Sequence, residues 1–425
     1  MNQVTDQQII EILRKEAVPA LGCTEPVACA LACAKCKEVL GGVPERLDVL
    51  VSGNIYKNGM GVGIPGTGMV GLPIAAALGA VCGKSEYGLE VLKEVNVGDN
   101  LQRAKDMLGQ VTVSLKEDAP DKLYAEALAT KGNDTVKVII AHTHTNIVLV
   151  EKNGEEIFKR EFRLDTSKPE DKGPELSVKR IWDFVHEVDV KDIEFVLQGA
   201  EMNKAISAEG LNSEYGLQIG KTLKENIDKG LLEDDLLNRT LIRATAASDA
   251  RMDGCPKPVM TNSGSGNQGI TVYLPVVVAA EKFGASREQL ARALALSNLA
   301  VHIHHYMGHL SALCGILIAG TGAASAITYL MGGTYDNMVN TIKTMCSNLT
   351  GMMCDGAKQG CALKVYSGVS AAVQAALLSM RGIKTNNDGI VEEDIERTIR
   401  NVGLIGTKGM EETDKTILNI TCNKK

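Results

Sequence analysis

The sequence predicts an α+β protein, in which a large, mostly helical catalytic domain accompanies a smaller α/β domain containing a largely antiparallel sheet. Three observations carry that expectation. Between residues 110 and 162, short apolar or alternating segments are separated by Lys131-Gly-Asn-Asp and Asn153-Gly, the turn chemistry of β-hairpins. From residue 175 onward nearly every segment carries apolar residues at helical spacing. Between the two regions, LDTSKPEDKGPE (164–175) is charged and proline-bearing and reads as a linker. A chain of 425 residues exceeds one ordinary core, so two domains are the default.

Residues 5–16 carry an amphipathic helix pattern. The turn Gly22-Cys-Thr-Glu-Pro follows, and then an alanine- and cysteine-rich helix to Leu40, with Thr24 as the expected N-cap and Pro26 in the first turn. The period changes at Arg46, where LDVLVSG reads as a strand. A glycine-dense loop, Gly59 to Gly71, then leads into an apolar helix through Ala80. QVTVSL, LYAEALAT, VKVIIAHT, NIVLVEK and EEIFKREF are expected as strands of a β-meander. Helices are expected at 175–187, 190–207, 214–228, 235–250, 271–283, 286–300, 310–330, 334–349, 361–380 and 392–402. The resulting division is 1–44 (N-terminal helices packing on the catalytic domain), 45–165 (small α/β domain) and 166–425 (helical catalytic domain).

Composition narrows the function. The hydrophobic content of 44% with 23% charged residues is that of a folded globular chain. The net charge of −7, with both signs interspersed, provides no basic stripe for nucleic acid. The N-terminus lacks the pattern of a signal peptide, and the apolar run Leu313–Met331 is rich in Gly, Ala, Ser and Thr, which suits a buried core helix better than a bilayer span. A cytoplasmic location is therefore expected, and eleven cysteines there are thiols rather than disulfides. The expected partner is a small molecule, with no nucleic acid and no membrane, and a homodimer is left open.

Cys314, Cys354 and Cys361 are spaced C-x39-C-x6-C beside glycines, and the last two flank a turn that opens a helix. Helix N-termini favour thiolates, and soft thiolates select iron–sulfur clusters or zinc. Three ligands rather than four suit a site kept open for chemistry. The alternative is three unrelated buried cysteines, the ordinary fate of the residue. Cys23, just before a helix start, is either an activated thiol or a turn residue without a role.

Thr261-Asn-Ser-Gly-Ser-Gly-Asn-Gln-Gly269 opens a helix, so its free N–H groups, with Asn262, Ser263, Ser265 and Asn267, can cradle a carboxylate or phosphate. It can also be a plain connector, or a Ser-Gly-Asn loop like that of pyridoxal-phosphate dehydratases, for which the nearby Lys257 between two prolines is a poor Schiff-base residue. The loop Gly61–Gly68, including Gly66 and Thr67, lacks a P-loop ending and reads as a second substrate-facing loop or a tight turn. Asn54 and Lys57 precede it. Among His302, His304, His305 and His309, His305 is the candidate proton relay, while His142 and His144 read as ordinary turn residues. Cys29, Cys33 and Cys36 have the spacing of a radical-SAM motif but lie on one continuous helix, where they share a buried face.

Taken together, EAVPALGCTEP (16–26), SGNIYKNGMGVGIPGTG (52–68), TNSGSGNQG (261–269), HIHHYMGHLSALCG (302–315) and GMMCDGAKQGC (351–361) resemble the iron–sulfur L-cysteine desulfidases. These are relatives of the α domain of bacterial iron–sulfur L-serine dehydratases. The resemblance covers most of the chain. It implies a [4Fe-4S] cluster on Cys314, Cys354 and Cys361 with one open iron, and Cys23 as catalytic base. The short gap between the last two cysteines is closer to the desulfidase branch. The implied activity is β-elimination of L-cysteine to sulfide, ammonia and pyruvate. L-serine dehydration by the same mechanism, pyridoxal-phosphate chemistry and an iron–sulfur sensor are the competing readings.

Overall fold

The computed structural model describes residues 4–160, 176–307 and 310–423. The expected linker 164–175 and His309 lie outside them.

The chain opens with α1 (Asp6–Glu16), fixed by a reciprocal capping box between Thr5 and Gln8. Strand β1 (Pro19–Ala20) and α2 (Thr24–Leu40) follow, then β2 (Arg46–Val51) and α3 (Gly53–Gly59). A small ribbon of β3 (Gly63–Ile64) and β4 (Met69–Val70) leads into α4 (Leu72–Val81) and α5 (Asn100–Asp106). Next come β5 (Val111–Leu115), β6 (Tyr124–Lys131), β7 (Asp134–Ala141), β8 (Ile147–Lys152) and β9 (Glu155–Lys159). The helical half begins with α6 (Val178–Glu187), α7 (Val190–Ile193), α8 (Val196–Asn212), α9 (Ile219–Asp228) and α10 (Leu236–Met252). Strand β10 (Val259–Met260) is followed by α11 (Gly266–Phe283), α12 (Arg287–Asn298), α13 (Val301–Met307) and α14 (Ile316–Leu330). The chain closes with α15 (Tyr335–Leu349), α16 (Cys361–Met380), α17 (Ile395–Thr407) and α18 (Glu411–Cys422).

The α+β expectation holds. The main sheet has the order β5-β2-β6-β7-β8-β9, antiparallel except for the β2–β5 pair. The meander is therefore real only from β6 onward. Gly132-Asn133 and Asn153-Gly154 are two-residue loops, and Asn153 and Gly154 both take the positive φ of a hairpin turn. The link from β5 to β6 has no such turn, and β2 takes the place between them, burying Leu47, Val49 and Val51.

One face of the sheet is covered by α2 and α4. Helix α2 is apolar and buried over most of its length and places Ala28, Leu31 and Cys33 in this core, with the Cys36 thiol against the Ala127 and Val136 carbonyls at 3.5 and 3.6 Å. The first 44 residues thus do not pack together on the helical half, as expected from sequence. Of the two N-terminal helices only α1 joins the core of the helical half, through Ile9, Ile10 and Leu13, which meet Phe184, Val272 and Ile318, while β1 reaches that half by pairing with β10. Each such side chain contributes about 1.5–3 kcal/mol by leaving water.

Several predicted helices differ in extent, α9, α11 and α17 by a few residues at one end or both and two others for a local reason. The segment 190–207 breaks at Glu194-Phe195 into α7 and α8. Helix α14 starts at Ile316 rather than 310, because residues 312–314 are extended and pair with another segment of the site. Helix α14 is buried along most of its length, as its small residues predict. Among the described residues one helix, α16, is long and apolar enough to cross a membrane; half of it is buried, and it packs on α10, α14 and α15.

Candidate active site

The extended stretch before α14 lies antiparallel to the one before α16, with Leu313 bridged to Met353. The Cys314 N–H donates to the Met352 carbonyl at 2.8 Å, and the Cys354 N–H donates to the Ala312 carbonyl at 2.6 Å. This pairing sets Cys314 and Cys354 beside each other although 39 residues separate them. Cys361, the first residue of α16, closes back with its thiol 3.7 Å from the Gly356 carbonyl. All three line one cavity of about 140 Å³.

Burial, aided by the charges of Cys354 and Cys361, pushes the Cys314 thiol up to about 12. Cys361 is pushed up to about 11 by burial and then by Cys354. The helix start is therefore outweighed by desolvation: unligated, these thiols stay protonated, and a cationic centre is what would hold them as thiolates. Among the described residues no three His, Cys, Asp or Glu side chains sit at the spacing of a single ion. A cubane spreads its thiolates over separate irons, so three soft donors around one small cavity fit it in number and kind.

Cys23 lines the same cavity and is 3% exposed. It, rather than Thr24, is the N-cap residue of α2, and it makes no side-chain cap. Its thiol lies 4.0 Å from the Met252 sulfur. Burial pushes this thiol up to about 12, opposed chiefly by the guanidinium of Arg251. Arg251 comes from the last turn of α10 and is 5% exposed; it donates to the Gly22 carbonyl at 3.2 Å. Sequence reasoning missed Arg251, although a lone cation in the alanine-rich run ATAASDARM was a visible signal.

The β1–β10 pair joins the Cys23 segment to the Thr261–Gly269 loop, with Pro19 opposite Met260 and Ala20 opposite Val259. That loop is a hairpin-like turn. Asn262 and Ser265 exchange both backbone hydrogen bonds, and Ser263 and Gly264 take φ of 49° and 72°. Ser265 then caps α11 by accepting from the Gln268 N–H. Ser263, Ser265, Asn267 and Gln268 line the cavity. The Thr24 hydroxyl is shared between the Gly264 carbonyl at 2.9 Å and the Glu25 carboxylate at 3.2 Å.

Several predicted residues are placed elsewhere. Asn262 is wholly buried and not among the lining residues: its amide donates to the carbonyl and side-chain oxygens of Asn298 at 3.0 and 3.2 Å, which anchors the turn. Gly66 and Thr67 form a tight turn outside the lining set, where the Thr67 hydroxyl donates to the Ile64 carbonyl at 2.7 Å. His305 lies on α13 against Tyr306, also outside the lining set. His302 instead contacts Glu396 at 2.8 Å. Lys257 pairs at the surface with Glu209. Conversely, His144, read as a turn residue, lines the cavity and reaches it from the loop between β7 and β8.

A sequence profile described as serine dehydratase alpha chain matches residues 86–419. The chain belongs to that family, whose members are dehydratase-type lyases of generally iron–sulfur character. The matched region contains Cys314, Cys354, Cys361, Arg251 and the 261–269 loop, whereas Cys23 and Glu25 precede it. Among full-length relatives, a UPF0597 protein of Parabacteroides distasonis is 48% identical over all of both chains. UPF0597 proteins of Phocaeicola vulgatus (46% identical, 99% of this chain and 98% of that one) and Oleidesulfovibrio alaskensis (48%, 98% of each) are similar throughout.

Proposed function

We propose that the chain is an L-cysteine desulfidase: it eliminates the β-substituent of L-cysteine to give sulfide, ammonia and pyruvate. The observation that carries this reading is the convergence of Cys314, Cys354, Cys361 and Cys23 on one cavity that Ser263, Ser265 and Asn267 also line. Cys314, Cys354 and Cys361 would hold a [4Fe-4S] cluster, which when bound supplies a Lewis-acid iron. Ser263, Ser265, Asn267 and the first N–H groups of α11 orient the substrate carboxylate. Cys23 would accept the Cα proton as its thiolate; burial alone keeps that thiol protonated, and the Arg251 guanidinium beside it, together with the cationic centre when bound, would oppose burial. The electrons of the Cα–H bond form the Cα=Cβ bond as the Cβ–S bond breaks and sulfide leaves. The resulting aminoacrylate tautomerises to the imine, and water hydrolyses it to pyruvate and ammonia. The small cavity, walled by Met252, Leu310 and Leu313, limits water around the reacting carbon.

The family profile supports a second reading, dehydration of L-serine, in which the same groups release hydroxide. Protein purified without oxygen should contain iron and acid-labile sulfide and should form pyruvate from L-cysteine faster than from L-serine. The reverse preference selects the dehydratase. Full activity without iron would remove both readings.

A further inference from the structure

The cavity contains one carboxylate among its lining residues, and the mechanism above does not use it. Glu25, in the first turn of α2, accepts from the Asn58 amide at 2.9 Å and lies 3.2 Å from the Thr24 hydroxyl. Both partners are neutral, and among the described residues Glu25 has no cationic partner. Among the described lining residues the one Lys and the one Arg are engaged elsewhere: Lys364 pairs with Asp355 at 3.3 Å, and Arg251 faces Cys23 and the Gly22 carbonyl. A carboxylate left without a counter-charge in a cavity wall is a site for a cationic group.

A second, independent observation specifies the kind of cation. Asn58 is 9% exposed and gives its amide N–H to Glu25, which leaves its Oδ1 as an acceptor, buried and without a partner among the described residues. Gln268 lines the same cavity, is 5% exposed, and has Oε1 in the same condition. Buried acceptors without donors are costly unless a ligand supplies the donors. A carboxylate and two amide oxygens are three acceptors, and a primary ammonium has three N–H donors.

We propose that Glu25, with Asn58 and Gln268, is the ammonium-binding pole of the site, which restricts its ligands to α-amino acids and rejects the matching carboxylic acids. This rests on the reading of the cavity as a site for a small amino acid, and it does not depend on which β-substituent leaves. The loop at Ser263–Asn267 takes the carboxylate, and Glu25 takes the ammonium, so the two poles fix which face of Cα meets Cys23.

The test is calorimetric binding of L-alanine and of propionate, which differ only in the ammonium group and have no leaving group, to protein purified without oxygen. L-alanine should bind at least tenfold more tightly than propionate. Glu25→Gln should weaken L-alanine at least tenfold and leave propionate within twofold. A wild-type preference below tenfold, or an unchanged alanine affinity in Glu25→Gln, overturns the proposal. If Glu25→Gln does not fold, Gln268→Leu serves: a threefold or greater loss for alanine alone supports the proposal, and no loss overturns it. The elimination reading is scored separately. Alanine selectivity with no turnover of cysteine or serine keeps the ammonium pole and removes the elimination; turnover without selectivity does the reverse.

Discussion

The buried ammonium of Lys57 lies 2.8 Å from the carboxylate of Asp414, joining α3 to α18 across 357 residues of chain. The second oxygen of Asp414 accepts from the Ala312 N–H at 3.1 Å, two residues before Cys314. One carboxylate therefore ties three distant segments together behind the cysteine cavity. Asp414→Ala should destabilise the protein by about 3–5 kcal/mol, because it leaves the Lys57 charge buried without a counter-ion. Urea unfolding measures this, and Lys57→Met in the same chain should recover much of the loss. Equal stability of the single variant and wild type would show that the pair contributes little.

Cys23→Ala should retain iron and lose turnover by about 10²–10⁴-fold, the usual contribution of a positioned base. Iron analysis and pyruvate formation on the same sample separate the two effects. Loss of iron together with activity would place Cys23 in the cluster-holding set instead.

Gly356 has φ near +106°, and a Cβ there would stand 2.5 Å from the Lys57 carbonyl. Gly356→Ala should thus displace the loop between Cys354 and Cys361, at a cost of about 1–3 kcal/mol for the strained backbone. The expected outcome is lower iron content with unchanged far-ultraviolet circular dichroism. Wild-type iron content in this variant would show that the loop tolerates the shift.

Burial raises the Asp249 carboxyl to about 6, opposed by backbone N–H groups of which Gly220 is the first. Its ordinary value is near 3.9. Between about pH 4 and 6 the folded chain keeps this proton while the unfolded chain releases it, so stability falls as pH rises through that window and stays lower above it. The loss is at most about 3 kcal/mol. Asp249→Asn cannot ionise, so it should equal wild type near pH 4 and exceed it near pH 7.5 in thermal unfolding. Parallel pH profiles for the two proteins would clear Asp249 of this role.

The residues that pattern alone could place are those whose neighbours are local. Hairpin turns at Asn153-Gly154, the amphipathic helix α1 and the small-residue core helix α14 were all legible, because each depends on a few adjacent residues. The position of β2 between β5 and β6 was not, since no turn connects these strands directly. The same limit governs the site. The cysteines could be singled out by chemistry, yet Arg251, Glu25 and His144 reach the cavity only through tertiary packing. Asn262 was misassigned for a related reason: a polar residue in a glycine-rich loop looks available to a ligand until Asn298 is seen to occupy it.

The short β1–β10 pair has a consequence for the protein during its own synthesis. Pro19 and Ala20 emerge from the ribosome early, but Val259 and Met260, their hydrogen-bonding partners, are made much later. Through that interval the neighbouring Cys23 has neither Met252 nor Arg251 beside it, and its thiol is open to the oxidants and stray metals of the cell. The other three cysteines are translated later still, and Asp414 last of all. Assembly of the centre is thus a late event, and a nascent chain that pauses before the final helix carries all four thiols of the cavity and still lacks the clasp behind them.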